Sequence, residues 1–221
     1  MQAGNAHYRQ RKDIPDTVPV FPLSGALLLP GGQLPLNIFE PRYLEMVEAA
    51  IRDNRIIGMI QPAFDSDEKD EEHPDLCDVG CLGRITAFNE VGDGRLLISL
   101  QGICRFRVIE EAPVRTPFRQ CRINPFLADL VAETGIDQVD RQALLKVFRD
   151  YLEANNLEAD WDGITKADNE MLVNALSMMS PFGAAEKQAL LEAPDLKTRA
   201  ETLIAITEFA LAKDDLGSGL Q

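Results

Sequence analysis

From Val18 the apolar residues come in short runs broken by proline: VPVFPLSGALLLPGGQLPLNIF places Pro19, Pro22, Pro30, Pro35 and the pair Gly31-Gly32 between them. Proline at this frequency forbids a helix, since each ring lacks an amide donor, and it confines strands to edges, starts or bulges. The stretch predicts two or three short irregular strands. Glu40-Pro41 then opens a helix, because proline suits the first turn and Tyr43, Met46, Val47, Ala50 and Ile51 recur at three- and four-residue spacing, with Asn54 as the stop. Ile56 to Ile60 reads as a buried strand. RITAFNEV (84–91) and RLLISL (95–100) flank Gly92-Asp93-Gly94, a turn suited to positive φ, and predict a hairpin. Beyond it Cys104, Phe106 and Val108 alternate with Arg105 and Arg107, the period of a strand with one wet face, and Phe118 to Ile123 adds another strand.

After Pro125 the period lengthens. Leu144, Leu145, Phe148, Tyr151 and Leu152 mark an amphipathic helix from near Asp137 to Asn155-Asn156. Thr165 with Asp168 resembles a capping box before Met171, Leu172, Ala175, Leu176 and Met179. Ser180-Pro181 opens a short helix through Leu191, and Asp195 caps a last one through about Leu211. Strands followed by helices give an α+β chain with segregated lobes. The expected divisions are a flexible tail at 1–17, a β lobe at 18–126, a helical lobe at 127–212 and a disordered tail at 213–221.

Composition leaves this picture intact: 221 residues with 45% hydrophobic and 26% charged side chains are ordinary globular usage. No signal-peptide pattern follows Met1 and no apolar run reaches membrane-spanning length, so the expectation is a cytoplasmic protein. Four cysteines at irregular spacing read as core thiols rather than a disulfide framework. Charge changes more. The formal net charge of -14 argues against a generic nucleic-acid binder, and it is uneven, with 18 acidic against 8 basic residues from Ala128 onward. The segment between Pro62 and Asp78, AFDSDEKDEEHPDLCD, reads as a solvated insertion, mobile or functional.

Few residues suggest chemistry. Ser66 and Lys69 match Ser-x-x-Lys but lie in that acidic stretch, not in a desolvated cleft that would lower the lysine pKa. His73, Cys77 and Cys81, with Cys104 or Cys121, are soft-metal ligand types without a Cys-x-x-Cys knuckle. His7 and His73 have no serine or cysteine partner in view. Glu40 and Arg42 could form an acid-base couple, but the start of a helix explains both. No enzyme activity, cofactor or metal is expected.

Val18 to Tyr43, with its FPL, LPGGQLPL and IFEPRY segments, resembles the N-terminal domain of bacterial Lon proteases. VGCLGRI (79–85), the DGR turn, QGICRFRV (101–108) and SPFGAAEKQALLEAPDLKTRAETL (180–203) match the same family in order and spacing. The resemblance implies a PUA-like pseudo-barrel of mostly antiparallel strands with one helix, followed by a helical bundle, used in Lon to engage protein substrates. No Gly-x-x-x-x-Gly-Lys-Ser/Thr loop and no Ser-Lys peptidase segment occur in the sequence, so neither ATPase nor protease activity carries over.

That leaves a module binding proteins or unfolded polypeptides, with a separate protease or chaperone as a conceivable receiver and no membrane partner. The candidate surface is apolar: Leu27, Leu28, Leu29, Leu34, Leu36, Ile38 and Phe39, either a capture patch or the core of the β lobe. The rival is RNA binding through Arg84, Arg95, Arg105, Arg107, Arg119 and Arg122 on neighbouring strands.

Overall fold

The computed structural model describes residues 1–64, 73–131, 134–155, 157, 158 and 160–218. The chain divides into two compact units: Met1–Ala132 with Phe182–Leu191, and Glu133–Pro181 with Glu192–Gln221.

The first unit begins with a small hairpin, β1 (Gln2–Ala3) and β2 (Ala6–His7). It continues through β3 (Thr17–Pro22), β4 (Gln33–Ile38), helix α1 (Pro41–Arg52), β5 (Ile56–Ile60), β6 (Val79–Glu90), β7 (Leu96–Glu111) and β8 (Gln120–Pro125). The sheet runs β4-β7-β6-β5-β3-β8, and β8 returns to β7, closing a ring. Among the described residues only β3 and β5 pair in parallel; the other pairings are antiparallel. Closure depends on the length of β7. Leu96 to Gln101 face β4, whereas Phe106 to Glu111 face β8, and a bulge between Val108 and Glu110 helps turn the strand. Val18, Val20, Ile56, Ile60, Leu82, Ile103, Phe106 and Ile123 fill the ring's interior. Pro41 stands in the first turn of α1, as expected, and Tyr43, Met46, Val47 and Ala50 form its buried face.

Residues 1–17 are not the flexible tail expected. Ala3, Tyr8 and Ile14 lie in the core, and the N-terminal ammonium donates to the Leu130 carbonyl at 2.7 Å. Three apolar residues scattered among polar ones show no period, so packing rather than pattern orders the segment.

A second departure is α5 (Ala184–Glu192), most of which belongs to the β unit although its sequence reads as part of a helical bundle. It is anchored by polar side chains. Gln61 Nε2 donates to Gln188 Oε1 at 3.1 Å, Gln188 Nε2 to the Val79 carbonyl at 3.0 Å and Lys187 Nζ to the Gly25 carbonyl at 2.9 Å.

Cys104 and Cys121 are wholly buried in the β core, and desolvation pushes their thiols up to about 12 and about 11. Unfolded thiols ionise near 9, so the folded state keeps these two protonated where the unfolded chain does not. Their contribution is complete below pH 9 and is lost as pH rises toward 11–12. The unfolding midpoint in urea should therefore fall above pH 9, and Cys104→Ala with Cys121→Ala should flatten that slope.

The second unit holds α2 (Arg141–Ala154), α3 (Trp161–Lys166), α4 (Asn169–Met179) and α6 (Leu196–Ser218). Asp140, Asp160 and Asp168 cap the first three, each carboxylate accepting the backbone N–H three residues on. Thr165, expected at the cap of α4, instead closes α3 by donating to the Trp161 carbonyl. Helix α6 continues to Ser218, past Leu211 and into the span expected to be a disordered tail. Its interior includes Leu196, Ala200 and Leu203, with Leu144, Phe148, Leu172 and Val173 buried on α2 and α4. No described helix is long and apolar enough to cross a membrane.

Candidate functional site

The proline-broken segment divides between core and surface. Leu27, Leu28 and Leu29 are 2%, 2% and 0% exposed and Ile38 is buried, so these four leave the candidate surface. The reason is a close backbone crossing. Gly31 N–H donates to the Gly102 carbonyl and Gly102 N–H to the Gly32 carbonyl, at 3.0 and 2.9 Å, which draws the preceding leucines into the β unit. Leu34 and Leu36 are half-buried and Phe39 is 64% exposed, so these three remain. They belong to or follow an edge strand: among the described residues β4 pairs with β7 alone, and Pro35 in its middle offers no amide to a further strand.

The six arginines make no open basic face. Arg105 is buried against Asp129, its Nε and Nη2 donating at 2.9 and 2.8 Å, and stacks over Phe126. The expected wet face fails at Arg105 because both sides of β7 are covered from Gly102 to Phe106. Arg95 pairs with Asp93, Arg107 with Asp78, Arg119 with Glu111 and Arg122 with Glu110. Arg84 donates to the Asn54 carbonyl and to the Tyr8 hydroxyl. Most of this positive charge is matched by a carboxylate, which weakens the case for phosphate contacts.

A small cavity of about 150 Å³ in the β unit is lined by Arg42, Tyr43, His73, Pro74, Phe118 and Arg119 among others. Its arginines are committed. Arg42 pairs with Glu40 at the start of α1, and Arg119 holds the Glu111 carboxyl below its ordinary range. Ser66 and Lys69 lie outside the described residues. Cys81, Cys104 and Cys121 are buried and Cys77 half-buried, and no group of three metal-ligating side chains occurs among the described residues.

A broad apolar groove is a feature the sequence pattern missed. A groove of about 500 Å³ runs among α2, α3 and α4, lined by Phe148, Leu152, Leu157, Trp161, Ile164, Met171, Leu172, Ala175, Leu176 and Met179 with a few others. Met171 and Met179 are 62% and 82% exposed, whereas Asn174 and Ser177 of the same helix are buried. Polarity along α4 is thus partly inverted. Asn174 turns inward because its Oδ1 accepts from the buried Arg199 at 3.0 Å, and Ser177 satisfies its hydroxyl on the Val173 carbonyl. Met171, Ala175 and Met179, one turn apart, are left along the groove. The available signal was a nine-residue stretch, MLVNALSMM, too apolar for a helix with one buried face.

The family model for the ATP-dependent protease La (LON) substrate-binding domain matches residues 17–208. The chain belongs to the Lon substrate-binding domain family. Lon protease 2 of Myxococcus xanthus is 27% identical over 203 residues, covering 89% of this chain and 24% of that protein. Lon protease of Parabacteroides distasonis is 30% identical over 201 residues, covering 86% and 24%. The chain thus spans about a quarter of the length of the curated relatives it matches. Among solved structures it resembles the N-terminal domain of the Mycobacterium avium complex Lon protease, with TM-score 0.64, 18% identity and coverage of 87% and 98%. It also resembles a Lon N-terminal domain protein from Xanthomonas campestris, with TM-score 0.60, 21% identity and coverage of 86% and 97%. These likenesses establish the fold of the Lon N-terminal domain for the ringed sheet and its helices.

Proposed function

We propose that this chain is a non-catalytic recognition module that binds exposed apolar segments of other polypeptides, as an adaptor for unfolded proteins in the cytoplasm. The observation carrying this reading is the groove among α2, α3 and α4, with Met171 and Met179 exposed along it. A folded monomer gains nothing by leaving two methionines in water, and flexible thioethers suit varied partners. Leu34, Leu36 and Phe39 beside β4 form a second, smaller contact. The matched family's substrate-binding role is consistent with both, and protein clients rather than nucleic acid are the partners it suggests.

The test is whether the purified chain keeps a chemically denatured model protein soluble on dilution, read by light scattering. Met171→Glu and Met179→Glu should each weaken that protection roughly tenfold, the burial of one large apolar side chain. Thermal stability should barely change, since both side chains are exposed. Protection unaltered in the double variant would remove the groove from the binding surface.

A further inference from the structure

The groove carries a charge pattern as well as an apolar lining. Of the residues that line it, the charged ones are Glu158 and Asp160, both exposed and both acidic. Asp160 caps α3 through Oδ1 at 3.0 Å from the Gly163 nitrogen and retains acceptor capacity, because a carboxylate offers several lone-pair sites. Among the described residues no lysine or arginine lines the cavity; Arg149 stacks over the Trp161 ring at 4.7 Å but is not among the lining residues. The surrounding unit is acidic throughout, with 16 acidic and 7 basic residues in the segments 133–181 and 192–221.

Resting on the recognition reading above, we propose that the groove's occupant is an amphipathic helix of a partner protein, apolar on one face and flanked by lysine or arginine. An apolar face laid among three helices is a recurring mode of peptide recognition, and Met171, Ala175 and Met179 supply a stripe one turn apart for it to pack on. The acidic rim selects by sign: a cationic flank meets Glu158 and Asp160, and an anionic one meets repulsion.

Trp161 makes this measurable, because it is the chain's single tryptophan and lines the groove. The full chain would be titrated with three tryptophan-free peptides sharing leucines at i, i+3, i+4 and i+7, with the remaining positions Lys, Gln or Glu. The Lys peptide should shift Trp161 emission to the blue and bind about tenfold tighter than the Glu peptide, with the gap closing as salt rises. Glu158→Lys should weaken the Lys peptide by about fivefold and favour the Glu peptide. Equal Kd for the Lys and Glu peptides would overturn charge selection while leaving recognition of apolar segments in place. If no peptide moves Trp161 emission while denatured clients are still kept soluble, the groove has no such occupant and recognition lies elsewhere on the chain.

Discussion

Asp129→Ala should lower the stability of the β unit by about 3–5 kcal/mol, the cost of leaving one member of a buried ion pair without its partner. The side chains of Arg105 and Asp129 are 6% and 7% exposed, so water cannot replace the lost carboxylate. Asp129 also accepts the Arg105 backbone N–H at 2.9 Å, so one substitution strands a guanidinium and an amide together. Arg105 Nη1 further donates to the Leu191 carbonyl, which ties the end of α5 to β7. The measurement is denaturant unfolding followed by circular dichroism; tryptophan fluorescence would report on the other unit, where Trp161 resides. A loss below about 1 kcal/mol, the scale of an exposed pair, would show that the bridge is solvated.

Gly102→Ala should cost about 3 kcal/mol, at the upper end of the range for forcing an extra methyl into a packed site. A Cβ there would stand 2.0 Å from the Leu29 carbonyl oxygen and 2.8 Å from its carbon. Backbone is what it would strike, and the two hydrogen bonds joining Gly102 to Gly31 and Gly32 hold that backbone in place. Gly92→Ala is the control, because a Cβ at Gly92 meets nothing within 4 Å. If the two variants unfold at the same urea concentration, the crossing is looser than these distances imply.

Where side chains followed a simple period, the sequence foretold the fold. The Gly92 to Gly94 turn and its flanking strands emerged as the β6-β7 hairpin, and the all-apolar run Ile56 to Ile60 is buried throughout as β5. The failures share a physical cause. Arg105, Asn174, Lys187, Gln188 and Arg199 are all buried, and each is made tolerable by a partner distant in sequence, as with Lys187 and the Gly25 carbonyl. Periodicity counts polar residues as outward facing and has no access to such partners. The same blindness hid the groove: the apolar period groups Met171 and Met179 with Leu172, whereas Asn174 and Ser177 take the buried positions and both methionines are exposed. The leucines were ambiguous for a different reason. Proline removes the alternation that would separate inner from outer positions, and only the crossing at Gly102 decides that Leu27 to Leu29 face in while Phe39 faces out.

The placement of α5 has a consequence for the order of events during synthesis. Gly25 and Gln61 lie near the start of the chain, but their side-chain partners Lys187 and Gln188 are separated from them by 162 and 127 residues. A nascent chain can close the ring of strands once Pro125 has left the ribosome, while the Val79 carbonyl still awaits Gln188. At roughly 5–20 residues per second that interval lasts seconds, during which the β unit is formed but unsealed. A fragment ending after β8 would remain in that unsealed state permanently.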